Sequence, residues 1–163
     1  PSEVKVLTHT LKINKVDEQN KPLSGADFAL YRNNVDSVKL KFVDEGNGTY
    51  RIATTDDETT TDTLVSPEGG VITVKGLSEG HYVIEETKAP DGYAKLKNTI
   101  NKTISVDEND PQTVTVEEKV TNKTESWLPE TGGMGTVIFT VVGVVGVLVI
   151  LSTYFKKGKK EEA

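Results

Sequence analysis

The stretch Tyr-Val-Ile-Glu-Glu-Thr-Lys-Ala-Pro-Asp-Gly-Tyr, residues 82–93, decides the fold of this chain. Its first half alternates, so that Tyr82, Ile84 and Glu86 share one face of an extended strand. Its second half, Ala-Pro-Asp-Gly, is turn chemistry. The stretch therefore predicts a strand with one buried face that ends in a reversal. It also places a carboxyl group, Glu86, where an apolar side chain is expected.

Segments of the same kind recur on both sides of this stretch. Alternating apolar residues predict seven further strands, over residues 11–15, 27–32, 38–43, 50–53, 71–75, 100–106 and 114–122. Asn47-Gly48 predicts a tight turn between two of them. Residues 54–63 predict an exposed loop, whose acidic side chains lack the spacing of a calcium site. Eight short strands with regular turns and no helical period in this part of the chain predict an all-β sandwich or barrel.

Three polar side chains occupy the apolar parity of their predicted strands. Lys15 continues the buried face of the first strand, Glu86 that of the central stretch, and Asn122 that of the last strand after Val120. Burying a charge or an unpaired amide costs several kcal/mol, so such groups are expected to pair or to react. Glu118 shares the parity of Asn122, which predicts either a bulge or a break in the last strand, or a last strand that is shorter than residues 114–122.

The three groups are suited to forming an amide bond. Burial favours the uncharged forms of an amine and of a carboxyl group, and an uncharged amine is a nucleophile. Attack by Lys15 on the Asn122 carboxamide, polarised by Glu86, would release ammonia while Glu86 relays protons. Fixed proximity in a dry core would supply the rate. In the alternative arrangement Lys15 reaches solvent from a strand end, Glu86 forms an ion pair with it, and Asn122 lies at the surface.

The residues around these groups resemble the SpaA-type, Cna B-type pilin domain of Gram-positive bacteria. Residues 82–93 are similar to the E-box pattern of that family, Tyr-x-Leu-x-Glu-Thr-x-Ala-Pro-x-Gly-Tyr, with Ile84 in place of Leu. The Lys15 strand is followed by Pro-Leu-Ser-Gly-Ala at residues 22–26. The resemblance covers residues 8–123 and implies an immunoglobulin-like β-sandwich.

The same resemblance implies roles for the three buried polar residues. In that family an internal isopeptide bond forms without an external enzyme. Carried over, Lys15 is the amine donor, Asn122 the carbonyl donor and Glu86 the catalytic acid, in agreement with the strand parity. No cofactor or metal is implied. The chain is expected not to be an enzyme beyond this modification of itself.

A short motif precedes a long apolar run near the C-terminus. The motif consists of Leu128, Pro129, Glu130, Thr131 and Gly132, with Gly133 after it. Residues 136–155 contain no charged side chain and are long enough to cross a bilayer as a helix. Residues 156–163 begin with lysines, which predicts a cytoplasmic C-terminus.

This order of motif, apolar span and basic tail resembles the cell-wall sorting signal of Gram-positive surface proteins. The resemblance implies that a sortase cuts between Thr131 and Gly132. The threonyl group then passes to an amine of a peptidoglycan precursor or of a Lys in a neighbouring pilin subunit. The expected location is the cell wall surface, after a transient membrane-anchored stage. The alternative is a permanent anchor with a single span.

Composition narrows the choice of partners. Residues 1–131 carry 15 Lys and Arg against 23 Asp and Glu, and an acidic exterior argues against nucleic acid or anionic lipid as partner. The chain contains no Cys, so disulfides do not supplement the core. His9 and His81 are far apart and lack a nearby nucleophile, and both are predicted to be surface residues. The sequence identifies no host ligand.

The sequence as a whole predicts the C-terminal part of a shaft pilin anchored by a sortase. Residues 1–7 are interpreted as a linker from a preceding domain, 8–123 as the sandwich, 124–135 as the linker with the motif, 136–155 as the span and 156–163 as the tail. An export signal is expected upstream of Pro1. The alternatives are a stalk domain of a wall-anchored adhesin, a minor pilin, or the display stalk of a surface enzyme. No Tyr-Pro-Lys acceptor motif occurs in these residues.

Overall fold

Nine β-strands in two sheets make up residues 6–126, the part of the chain that the computed structural model describes. The strands are β1 (His9–Val16), β2 (Asp27–Arg32), β3 (Phe42–Gly46), β4 (Thr49–Ile52), β5 (Leu64–Val65), β6 (Val71–Leu77), β7 (Gly80–Lys88), β8 (Ile100–Ile104) and β9 (Thr115–Thr121). The first sheet has the order β3-β4-β6-β1-β9 and the second the order β5-β2-β7-β8. The predicted all-β sandwich is confirmed.

The predicted membrane span and sorting motif lie outside the described residues. Between residues 6 and 126, no helix is long and apolar enough to cross a bilayer.

The first and last strands of the sandwich are direct neighbours. β1 lies between β6, with which it pairs antiparallel, and β9, with which it pairs parallel. The register places Lys15 opposite Val120 and Val16 opposite Thr121. The ends of β1 and β9 therefore meet at the same end of the sheet. This topology brings residues that are far apart in sequence to one place.

The core lies between the two sheets and follows from strand alternation. Along β1 every second side chain is buried, as a strand with one face against the core requires. β2 and β7 supply the opposing layer, where Phe28, Leu30 and Ile84 are almost completely inaccessible. The core cluster comprises Leu11, Ile13, Ala26, Phe28, Leu30, Phe42, Tyr50, Leu64, Ile72, Val74, Leu77, Tyr82, Ile84, Ile104 and Val120.

Two strand predictions differ from the structure. The third strand was predicted over residues 38–43 but begins at Phe42. The residues before Phe42 run beside β2 instead, and there Leu40 N–H donates to Leu30 O at 2.9 Å. The chain then crosses to the other sheet. The two-residue strand β5 was not predicted, since it is too short to show a period. The predicted turn at Asn47 is confirmed, with a φ of 53° at that residue.

The prediction of a bulge or break at Glu118 was wrong, and so was the prediction of a surface position for His9. β9 runs in unbroken register with β1, without a bulge at Glu118. It ends at Thr121, one residue before Asn122, which confirms the alternative of a shorter last strand. The Glu118 carboxylate instead forms an ion pair with Lys102 Nζ of β8 at 3.0 Å. β8 and β9 are edge strands of the two sheets. His9 is 1% exposed, because it shares the buried parity of β1, and its Nδ1 accepts a hydrogen bond from Val114 N–H at 3.1 Å.

Candidate functional site

The structure brings Lys15, Glu86 and Asn122 together inside the sandwich. Lys15 lies near the end of β1, Asn122 directly follows the neighbouring strand β9, and Glu86 lies on β7 in the facing sheet. Their exposed fractions are 0%, 2% and 0%, respectively. The alternative arrangement, with Lys15 reaching solvent and Asn122 at the surface, is therefore wrong.

The amine of Lys15 is held against the ends of β1 and β9. Its Nζ donates to Val16 O at 3.0 Å and to Val120 O at 3.1 Å. Val16 O also accepts a hydrogen bond from the backbone N–H of Asn122 at 3.0 Å. The Lys15 amine and the backbone N–H of Asn122 thus share Val16 O as their acceptor, which keeps Lys15 and Asn122 close together.

Burial controls the charge of this amine. Removal from water lowers the pKa of Lys15 from its ordinary value of 10.5, while the negative charges of Glu86 and Asp17 raise the pKa in part. The net direction is downward, because the cost of burying an ammonium exceeds the attraction of the two carboxylates. A lowered pKa increases the fraction of uncharged amine, which is the nucleophilic form.

Both hydrogens of the Asn122 carboxamide are engaged. Nδ2 donates to Glu86 Oε2 and to Ala94 O, each at 3.0 Å. A backbone carbonyl only accepts hydrogen bonds, so Ala94 O requires the NH₂ side of the carboxamide to face it. The nitrogen of the carboxamide is therefore directed at Glu86. Glu86 Oε2 also accepts a hydrogen bond from Leu96 N–H at 2.9 Å.

Two buried oxygens at this site have no hydrogen-bond partner. They are Glu86 Oε1 and Asn122 Oδ1, and they belong to the two groups that the Nδ2 bond already joins. An unpartnered buried oxygen costs about 1 to 3 kcal/mol. The orphaned pair marks a site that is incomplete in its hydrogen bonds, which calls for a physical explanation.

The backbone groups of Ala94 and Leu96 were not predicted from the sequence. Strand parity concerns side chains and gives no information on which carbonyl or amide will reach them. The signal that bears on them is the turn of residues 89–92, which folds the chain back over Glu86. The five predicted residues of the sorting motif lie outside the described residues, so their role as a sortase site stays a prediction.

The sandwich and the anchor motif together define a class, that of pilin-like surface domains with a cell wall anchor. The SpaA prealbumin-like fold domain matches residues 9–120, and the LPXTG cell wall anchor motif matches residues 120–162. The chain belongs to the SpaA prealbumin-like fold domain family. A comparison with curated proteins finds no match.

Solved pilin structures are similar to this chain. A minor pilin of Streptococcus agalactiae is 26% identical with a TM-score of 0.59, over 79% of this chain and 49% of that one. The pilus 2b backbone protein of group B streptococcus is 30% identical with a TM-score of 0.50, over 71% and 41%. A shaft pilin of Lactobacillus rhamnosus GG shares the fold, at 21% identity and a TM-score of 0.53, over 73% and 48%. The chain thus spans about half the length of these proteins or less.

Proposed function

We propose that this chain is part of a shaft pilin of a Gram-positive pilus, whose sandwich is closed by an isopeptide bond between Lys15 and Asn122. Its family, its anchor motif and its similarity to a pilus backbone protein support this function. The observation that carries the proposal is the burial of an amine, a carboxyl group and a carboxamide at the junction of the first and last strands.

The bond forms by transamidation. Uncharged Lys15 Nζ attacks Asn122 Cγ, the new Nζ–Cγ bond forms, and the Cγ–Nδ2 bond breaks. One proton from the attacking amine passes through Glu86 to Nδ2, which leaves as ammonia. No oxidant or external reactant is needed, and atoms and charges balance.

The two orphaned oxygens are the places where a proton is held during the reaction. Glu86 Oε2 already accepts from Leu96 N–H and from Asn122 Nδ2, so Oε1 is the oxygen that takes up the proton released by the attacking amine. A proton on Oε1 can then be donated to Asn122 Oδ1, the other orphaned oxygen. An acid and an amide joined in this way satisfy both oxygens and polarise the carbonyl carbon for attack.

A bond at this place suits a protein that carries tension. The described chain enters the sandwich through β1 and leaves it after β9. Tension that reaches Lys15 would cross to Asn122 through a covalent bond and would bypass the hydrogen bonds of the remaining strands. The domain would therefore resist extension, as a link in a shaft must.

The connection to other molecules is proposed to run through Thr131. A sortase cleaves after this residue and transfers its carbonyl group to a Lys of the next pilin subunit. The chain is then a substrate of that enzyme and not an enzyme itself. The membrane serves only as a temporary holding site before transfer.

A second candidate is a minor pilin or stalk that is joined to peptidoglycan. The similarity to the minor pilin of Streptococcus agalactiae favours it, since that likeness covers more of this chain at a higher TM-score than the likeness to the backbone protein. The two candidates differ in the acceptor of Thr131 and not in the internal bond.

Wall extracts of the parent cell distinguish the two functions. The shaft proposal expects a ladder of species that resist detergent and heat and react with an antibody to this chain, and it expects Thr131→Ala to abolish the ladder. A single wall-linked band would overturn the shaft proposal in favour of the second candidate. Peptide mapping of the same material is expected to yield a branched peptide that joins Lys15 to Asn122.

A further inference from the structure

The chain that follows Asn122 docks onto the segment that follows the turn at residues 89–92. We name residues 123–125 the exit segment and residues 92–96 the clamp segment. Two backbone hydrogen bonds join them, from Ala94 N–H to Lys123 O and from Glu125 N–H to Gly92 O, each at 2.9 Å. Together these bonds form an antiparallel bridge between Tyr93 and Thr124. The two segments thus form a small ribbon at the end of the sandwich.

The clamp segment also holds two of the reacting groups. Ala94 O accepts a hydrogen bond from Asn122 Nδ2, and Leu96 N–H donates to Glu86 Oε2. Ala94 therefore uses its N–H for the exit segment and its carbonyl for the carboxamide. Its position couples the docking of the exit segment to the geometry of the site.

We propose that the clamp segment is the positioning element of the bond-forming reaction, and that docking of the exit segment sets it in place. The inference rests on the proposed isopeptide chemistry. It assigns a role to backbone groups of Ala94 and Leu96, which touch the reacting side chains, and to the residues of the exit segment, which act through them.

The clamp performs two tasks. First, Ala94 O selects one of the two orientations of the Asn122 carboxamide, because the reversed orientation would place Oδ1 against another acceptor. The selected orientation puts the leaving nitrogen beside Glu86. Second, Leu96 N–H occupies Oε2, which leaves Oε1 to take up the proton during the reaction. Without the clamp, the carboxamide samples both orientations, and the site loses part of its fixed proximity.

Loss of exit-segment docking is therefore expected to slow the reaction more than it weakens the fold. Glu125→Pro removes the N–H that donates to Gly92 O, and Glu125→Ala, the matched control, keeps it.

A second pair of variants tests the clamp segment itself. Gly92 has a φ of 85°, and a Cβ added there would have no atom within 4 Å, so Gly92→Ala strains the turn without a clash.

Gly46→Ala is the control for the second pair. Gly46 has a φ of 95° and equally open surroundings, but it lies on β3, three strands away from β1 in the sheet. The two glycine variants therefore carry similar backbone strain, and only Gly92→Ala carries it in the clamp segment.

The experiment follows the loss of ammonia with time. The full chain is made by cell-free translation in detergent micelles, quenched with acid at intervals and analysed by intact mass. Thermal unfolding midpoints are measured for the same variants in a Lys15→Met background, which cannot react. We expect Glu125→Pro and Gly92→Ala to form the bond at least about tenfold more slowly than their controls, with midpoints that match those of the controls.

Two results would overturn the inference. One is that each variant forms the bond at the rate of its control. The other is that rate and midpoint fall together in each pair, which would show a general loss of structure. Failure of the proposed isopeptide chemistry looks different, since the unmodified chain would then keep its full mass at all times.

Discussion

At the scale of residues, the energetics of the site depend on how Lys15 is buried. Its backbone is held as firmly as its side chain: Lys15 N–H donates to Gly70 O at 2.7 Å, and Lys15 O accepts from Leu23 N–H at 2.9 Å. The amine is left with two carbonyl oxygens in place of water. A buried ammonium with such partners remains costly, which drives the group toward its uncharged form.

The lowered pKa of Lys15 predicts a pH dependence for the unreacted fold. In an Asn122→Ala chain the amine persists, and between its lowered pKa and 10.5 the unfolded chain binds more protons than the folded one. The free energy of unfolding therefore rises with pH across that window. Lys15 contributes most favourably above pH 10.5 and loses this contribution as the pH falls toward the lowered pKa.

Denaturant titrations between pH 7 and pH 10.5 check this dependence. The reference is the Asn122→Ala chain that also carries Lys15→Met, which shares all other titrating groups. The stability difference between the two chains is expected to move in favour of the lysine chain as the pH rises. A constant difference would show that burial does not shift the pKa of the amine.

Two adjacent glycines give a second prediction at this scale. Gly70 has a φ of 76°, and a Cβ there would lie 2.6 Å from Lys15 O. Gly70→Ala is expected to lower the free energy of unfolding by about 1 to 3 kcal/mol. Gly69 has no atom within 4 Å of an added Cβ, so Gly69→Ala is expected to stay within about 0.5 kcal/mol. Denaturant unfolding of both variants measures the difference, and equal losses would refute the close approach to Lys15.

At the scale of elements, an ion pair joins two edge strands of the sandwich. We name the side that these two strands form the open side. β8 and β9 are the edge strands of their sheets on this side. Each directs one charged residue inward, and Lys102 Nζ meets Glu118 Oε1 at 3.0 Å with both side chains 26% exposed. Inward charges on edge strands discourage pairing with other chains. The pair thus protects the edge more than it stabilises the fold, because partly exposed ion pairs contribute about 1 kcal/mol or less.

Replacing this pair by Lys102→Met with Glu118→Leu is expected to cause self-association. The free energy of unfolding should change by about 1 kcal/mol or less, while sedimentation should show dimers or larger species whose fraction grows with concentration. The control is Asn101→Val with Thr115→Val, which adds apolar side chains to exposed positions of the same strands. If both double variants sediment as monomers, the Lys102–Glu118 pair does not prevent self-association, and the proposed role is wrong.

Strand parity accounts for what the sequence could predict at this scale. Period-2 alternation identified Lys15, Glu86 and Asn122 as buried, because each strand has one face against the core. The same rule applied to His9 would have predicted its burial, since it shares the parity of Lys15. Parity could not predict that Glu118 would face Lys102 in a regular strand, because that contact depends on which strands form the open side.

The rest depended on the path of the chain in three dimensions. The segment before Phe42 looks like a strand of the first sheet, yet it first runs beside β2. The hydrogen bonds of Ala94 and Leu96 come from backbone groups that every residue carries, so no residue type signals them. The three buried polar side chains were predictable, and the backbone groups that contact them were not.

At the scale of the whole molecule, the order of strands explains why one bond would matter. Lys15 and Asn122 lie at the ends of neighbouring parallel strands, yet nearly the whole sandwich separates them in sequence. A covalent tie between them closes a loop that contains every other strand. The constraint acts mainly on the unfolded chain, which loses conformational freedom.

The tie is expected to raise the free energy of unfolding by about 4 to 5 kcal/mol, by analogy with a disulfide that closes a loop of about 100 residues. The comparison is between the unmodified chain and Glu86→Gln, which keeps the shape of the side chain but cannot supply the proton. The denaturant midpoints of these two chains measure the difference in their free energies of unfolding. Midpoints that coincide would show that no loop has been closed.

The most direct test of the central claim is the intact mass of the purified chain under denaturing conditions. If Lys15 and Asn122 are joined, the unmodified chain is one ammonia lighter than its sequence, while Glu86→Gln and Lys15→Met have the full mass of theirs. A full sequence mass for the unmodified chain would contradict the claim.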